Sequence, residues 1–203
     1  MDHEQVLISA LEDPNNTVVI LPPANVNRII RTHYKADPNF TYTKTQLWDM
    51  EVNKARNPEK YLGDLVRPGS LEVLDVKKGG RFESFIRVTD QRVWKDGSVF
   101  TKVIEKVLVD NETQRAFFIG VSEVETSDGR KIMAGREQAL FHVEHSTSGT
   151  EREPLNVWNI VLLDKDEDGT LRQAFQPFLN SPYLRGFNEV YIREDLGQEL
   201  VRA

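Results

Sequence analysis

The 203-residue chain has no cysteine. That removes disulfides, thiolate zinc sites, iron–sulfur ligation and cysteine nucleophiles together. It has no run of about 18 apolar residues, so a membrane-spanning helix is not expected. It has no positive excess: 26 Lys and Arg against 32 Asp and Glu leave a net charge of −6. A nucleic-acid groove is therefore disfavoured. Gly-x-Ser-x-Gly, phosphate-loop and dinucleotide fingerprints are all missing. The N-terminus, Met1-Asp-His-Glu-Gln, is acidic and no long apolar stretch follows it. No secretory signal is expected, and a cytoplasmic location is the default. On that expectation the Asn-x-Thr sites at Asn15, Asn39 and Asn111 stay unmodified. What is present excludes disorder: 39% of the residues are apolar, enough for the core of one globular domain over residues 1–203.

The pattern divides the chain. Asn16 to Leu21 reads as a strand stopped by Pro22 and Pro23. Residues 24–41 are ambiguous: Val26, Ile29 and Ile30 suit one or two helical turns, closed by Pro38. Thr43 or Thr45 caps a helix with Leu47, Trp48, Val52 and Ala55 on one face, and Pro58–Leu62 forms a second short one. From Ser70 onward strands alternate with turn signals. The runs are Leu71–Val76, Arg81–Thr89, Val99–Val109, Ala116–Val124, Lys131–Ser146, Leu155–Leu163 and Leu171–Phe178. Gly79-Gly80, Asp96-Gly97, Asn111-Glu112, Asp128-Gly129, Gly149 and Asp168-Gly169 separate them, and such turns imply an antiparallel meander. Apolar residues from Tyr183 to Leu200 predict a C-terminal helix, interrupted near Gly197.

Strand alternation proposes which side chains face inward. Glu105 shares a row with Val103 and Val107, and His145 with Phe141 and Val143. Asn159 falls with Val157 and Val161, and Gln173 with Leu171 and Phe175. A few polar groups on an apolar curved sheet suit a ligand cavity. Equally, each suits a hydrogen-bonded core residue. If Glu105 lies close to His145 it raises the imidazole pKa and makes an acid–base pair.

Other constellations carry less. Asp164-Lys-Asp166-Glu-Asp168-Gly169 opens like a calcium loop, but Phe175 stands where a bidentate glutamate is needed. A solvated acidic hairpin is the expectation there. His142 and His145 fall on opposite faces of one strand, so they do not chelate together and no metal is expected. Lys54, Arg56, Lys60 and Arg67 read as a solvated helix face. Trp48 is placed to line the mouth of a sheet beneath its helix.

The element order, with Thr45-Gln-Leu-Trp48, Lys54-Ala-Arg-Asn-Pro-Glu59, Leu71-Glu-Val-Leu74, Glu105-Lys-Val107 and the Asn159 strand with its Asp-Gly turn, resembles the SRPBCC or START-like superfamily, polyketide-cyclase-like proteins, and within it the AurE-like branch. The resemblance covers most of residues 41–180, with 22–40 and 125–153 as insertions. It implies an α+β helix-grip fold: a curved antiparallel sheet of about seven strands wrapped on a long C-terminal helix, with two short helices after the first strand. It also implies a cavity for a hydrophobic or polyketide-like molecule.

The function expected is a cofactor-independent cyclase or dehydratase acting on a polyketide-like intermediate. Glu105 and His145 would transfer protons, and Asn159 and Gln173 would orient a carbonyl. Trp48, Phe85, Arg87, Phe117, Phe175, Tyr183 and Phe187 would surround the substrate. The alternative is a carrier that binds a hydrophobic small molecule without chemistry. A third reading is an interaction domain with a collapsed cavity. A homodimer through an exposed edge such as Arg81–Thr89 is permitted.

Overall fold

The computed structural model describes residues 2–203. In chain order its elements are α1 (His3–Glu12), β1 (Thr17–Ile20), β2 (Ala24–Asn25), α2 (Val26–His33), β3 (Tyr34–Ala36), α3 (Lys44–Arg56), α4 (Pro58–Tyr61), β4 (Glu72–Gly79), β5 (Phe82–Arg92), β6 (Phe100–Asp110), β7 (Arg115–Gly120), β8 (Glu123–Glu125), β9 (Lys131–Met133), β10 (Phe141–Gly149), β11 (Pro154–Leu162), α5 (Thr170–Asn180), α6 (Gly186–Val190), a wide π-type turn (Tyr191–Asp195) and β12 (Leu200–Arg202). The main sheet runs β1-β11-β10-β7-β6-β5-β4, with β2 also paired to β11, and every pairing is antiparallel. Its turns use the residues that tolerate left-handed backbone, such as Gly80 at φ 57°.

One face of the sheet presents Phe85, Val103, Val107, Phe118, Phe141, Val143, Trp158 and Leu162. Trp48 and Val52 from α3, Leu171 and Phe175 from α5, and Phe187 from α6 cover it. The other face is covered as well. Leu7 and Ala10 of α1 pack on Phe117, Ile119 and Val161, and the β8–β9 hairpin brings Val124 to Ile86, Val88 and Ile104. Helix α1 has no counterpart in the sequence reading. A smaller core joins α2, β3 and α3 to the C-terminal residues Leu184, Tyr191, Ile192 and Leu200.

Several expectations are corrected. The segment Leu171–Phe178 is helix, not strand. Gly169 at φ 73° ends the preceding loop, and the Asp166 carboxylate accepts from the Leu171 and Arg172 amides, both at 2.9 Å. Leu171 and Phe175, four apart, are its buried residues. The acidic stretch is therefore a helix cap rather than a hairpin. The C-terminal helix is not one long rod. It consists of α5, α6 and the π-type turn, after which Gly197 at φ 62° redirects the chain into β12, which pairs with β3. Finally, β5 is paired on both sides, by β4 and β6, so Arg81–Thr89 offers no free edge. The stretch Lys131–Ser146 is also two strands, β9 and β10, parted by a loop.

Candidate active site

Helix α3 begins where Thr43 accepts from the Gln46 amide at 3.0 Å and Gln46 returns a bond to the Thr43 amide at 2.9 Å. From this capping box the inward stripe runs Leu47, Trp48, Glu51, Val52, Lys54, Ala55, all buried. Glu51 and Lys54, three apart, therefore project together toward the sheet. Lys54 Nζ lies 2.5 Å from Glu51 Oε2 and 2.6 Å from His145 Nδ1, and His145 Nδ1 lies 3.0 Å from the same oxygen. Asn156 Nδ2 donates to Glu51 Oε1 at 2.8 Å, and Asn188 Nδ2 donates to Asn156 Oδ1 at 3.2 Å.

Aromatic rings wall this group. Phe118 and Trp158 stand edge-on to the His145 ring at 5.4 and 6.1 Å, and Lys54 Nζ sits 3.7 Å above the Phe187 ring. Beyond Phe118 lies a second buried pair. Arg87 Nε and Nη2 donate to Glu105 Oε2 at 2.8 and 2.6 Å, Arg87 Nη1 donates to the Ala55 carbonyl at 3.1 Å, and the guanidinium lies 4.6 Å above the Phe118 ring. Strand β7 lies close to β10 because residue 120 is glycine: a Cβ there would run into the Phe141 carbonyl.

The protonation pattern follows from burial and charge. Burial, joined by the Lys54 charge, holds His145 down to about 4 against the opposing pull of Glu51. Burial lowers Lys54 to about 8, opposed by Glu51. Burial pushes Glu51 upward, but Lys54 and His145 outweigh it and bring the carboxyl to about 2. At neutral pH the group is a carboxylate, an ammonium and a neutral imidazole. His145 Nδ1 accepts from the Lys54 ammonium in one imidazole tautomer and donates to Glu51 in the other.

The residues proposed from sequence divide. Glu105 and His145 both face this interior, but Glu105 bonds Arg87 and His145 bonds Lys54 and Glu51, so they are not the direct pair expected. Arg87, Trp48, Phe85, Phe175 and Phe187 also belong to this side of the sheet. Trp48 is packed into the core, and its Nε1 donates to Asn111 at 3.1 Å. Phe117 and Asn159 lie on the opposite face: Phe117 packs under α1, and Asn159 donates to Glu144 at 2.8 Å. The inner row of β11 is Asn156, Trp158, Ile160 and Leu162, one residue out of step with the row inferred. Gln173 is exposed on α5, because a helix does not alternate as a strand does. Tyr183 packs edge-on to His33 and Tyr34, and its hydroxyl donates to the Ala203 carbonyl, away from His145. Lys54, expected on a solvated face, is 1% exposed, whereas Arg56 pairs with Glu83 and Lys60 with Asp195.

The sequence reading names neither Glu51, Phe118, Asn156 nor Asn188, and gives Lys54 and Trp158 no role in the site. Glu51 was legible, since it stands three residues after Trp48 and four after Leu47 in the apolar stripe of α3. The space between sheet and helices is filled by the side chains named above. A pocket of about 10 Å³ beside Thr101, Gly120 and Phe141 has room for one water. Among the described residues no three His, Asp or Glu are grouped to hold a metal ion, and no helix is long and apolar enough to cross a membrane.

A broad antiparallel sheet with helices packed on one face defines the chain as an α+β protein of helix-grip fold. No family profile and no curated protein matches the sequence. Among solved structures it is similar to the Zhui aromatase/cyclase of Streptomyces sp. R1128, over 88% of this chain and 95% of that one, with a TM-score of 0.51 and 8% identity. It is also similar to the ginseng major latex-like protein 151 of Panax ginseng, over 82% and 99% of the two chains, with a TM-score of 0.44 and 8% identity. At such identity the likeness is one of fold.

Proposed function

We propose that the protein takes up a hydrophobic, polyketide-like molecule between the concave face of the sheet and its helical cover, and catalyses proton transfers that cyclise or dehydrate it. The observation that carries this reading is the Glu51–Lys54–His145 group, held within 3.0 Å of one another and walled by Phe118, Trp158 and Phe187. A ketone against that wall has an acidic α C–H for His145 Nε2 to take, in the imidazole tautomer whose Nδ1–H donates to Glu51. The Lys54 ammonium faces the charge that develops on the carbonyl oxygen. Attack of the resulting carbon on a second carbonyl closes the ring, and a second proton transfer expels water. Arg87, fixed by Glu105 and the Ala55 carbonyl, adds positive charge behind Phe118 without exchanging protons. Entry requires Phe175 to move with α5, whose other side leaves Phe178 and Leu179 exposed. That a solved structure of similar fold is an aromatase/cyclase supports the reading; the residues here carry it.

A carrier without chemistry is the second reading, favoured by the pairing of Glu51 with Lys54 and of Glu105 with Arg87. Native mass spectrometry after incubation with naphthols, anthraquinones and linear poly-β-ketone mimics separates the two. The expected result is saturable uptake, with loss of water from the poly-β-ketone in the parent protein but not in His145→Phe or Lys54→Met. Uptake with the ligand recovered unchanged supports the carrier, and no uptake of any probe refutes both.

A further inference from the structure

Arg185 stands at the junction of α5 and α6, half-buried between two aromatic rings. Its guanidinium lies 5.3 Å from the centre of the Trp158 ring and 5.2 Å from that of Phe178. Among the described residues neither a carboxylate nor a carbonyl bonds its side chain, in a chain with 32 Asp and Glu. Buried polar groups are ordinarily partnered, and a partly desolvated cation is costly when unpaired. Stacking between rings holds the guanidinium plane but leaves its edge donors unused, and those donors match a carboxylate two at a time. The same ring carries a buried N–H donor, Trp158 Nε1, with no acceptor among the described residues, on a residue 3% exposed. The same Trp158 ring is a wall of the His145 site, its centre 6.1 Å from that of the imidazole and 5.7 Å from that of Phe187.

We infer that Arg185 binds the carboxylate of an otherwise hydrophobic ligand whose body reaches past Trp158 toward His145. The inference rests on the uptake proposed above and deepens it: the ligand is an acid, oriented with its charged end at the α5–α6 junction and its carbonyl-bearing end inside. Burial alone lowers the Arg185 pKa and no carboxylate opposes it, as expected of a cation whose counter-charge arrives with a ligand. Phe178, one of the two stacking rings, is on α5, the element that has to move for entry. An anionic end on Arg185 would therefore also order that helix.

The test compares anthraquinone-2-carboxylate with its neutral carboxamide and with an anthraquinone phosphate ester, by calorimetry on the intact protein and on Arg185→Gln and Arg185→Lys. The parent is expected to bind the acid at least about ten-fold more tightly than the amide, the worth of one charge-assisted bidentate contact. Arg185→Gln should abolish the preference for the acid over the amide, and Arg185→Lys should keep part of it. The acid-to-amide ratio in the parent alone decides the matter if the variants fail to fold. Amide and acid bound equally would overturn the Arg185 assignment and leave the uptake reading standing. No binding of any of the three would remove the uptake reading and this inference with it. A preference for the phosphate ester over the acid would overturn the choice of a carboxylate.

Discussion

At the residue scale the central fact is a costly one. Glu51, Lys54, Arg87 and Glu105 are each at most 5% exposed. Buried ion pairs of this kind are often no more stabilising than apolar side chains of the same volume, while removal of one partner costs about 3–5 kcal/mol. Four charges beneath a sheet thus argue for work beyond holding the fold. The pH dependence of stability follows from His145. Its folded value of about 4 lies below the ordinary 6.5, so between these the unfolded chain binds a proton that the folded chain does not. Stability is full above pH 6.5 and falls as pH drops toward 4. From pH 7 to pH 5 this one group should remove about 2 kcal/mol. In denaturant titrations His145→Gln should lose less stability over that interval than the parent. Equal losses would mean that the folded protein protonates His145 freely.

At the element scale, two periodicities fit one string in residues 171–175. Leu171, Gln173 and Phe175 alternate as a strand would, and Leu171, Ala174 and Phe175 also share a helical face. Asp166 decides between them, because its carboxylate takes two amides that a helix start leaves unpaired. Asp166→Ala should cost about 1 kcal/mol, as for other N-terminal caps. It should also speed hydrogen exchange selectively at Leu171 and Arg172. Unchanged exchange there would show that packing of Phe175 alone holds α5. In β11 the error was one of facing: both rows of that strand are largely apolar, because α1 buries the second face that a one-sided sheet would leave wet. Asn159 thereby exchanged places with Asn156 and Trp158. On α3 and β6 one row is far more apolar than the other, and there Trp48, Val52 and Glu105 were placed on the correct side.

At the scale of the whole molecule the question is how the sheet ends. Strand β4 forms one edge. Its ladder is broken between Leu74 and Lys77, Asp75 has φ 51°, and Lys77 and Lys78 follow, all of which discourage edge-to-edge pairing. Strand β1 forms the other edge, and Pro22 and Pro23 follow closely after it. With the net charge of −6 adding repulsion, the protein should sediment as a monomer over a wide concentration range. A stable dimer would locate a self-complementary surface other than the Arg81–Thr89 edge, which β4 closes.

Taken alone, the amino-acid order determined whatever depends on near neighbours. The capped helix after Thr43, the glycine-punctuated antiparallel strands and the break at Gly197 each rest on contacts within a few residues. So does the inward facing of Glu105 and His145, since alternation carries over a whole strand once one apolar row is clear. Only the tertiary structure decided which groups meet. Lys54 reads as one lysine among several basic residues until β10 brings His145, 91 positions later, to its Nζ. Glu105 was expected to serve His145, but Arg87, directly opposite in the register of β5 and β6, reaches it first. Pairings between distant segments are set by sheet register and by the seating of helices on a shared core. Those follow from the summed packing of the whole chain, which no local pattern records.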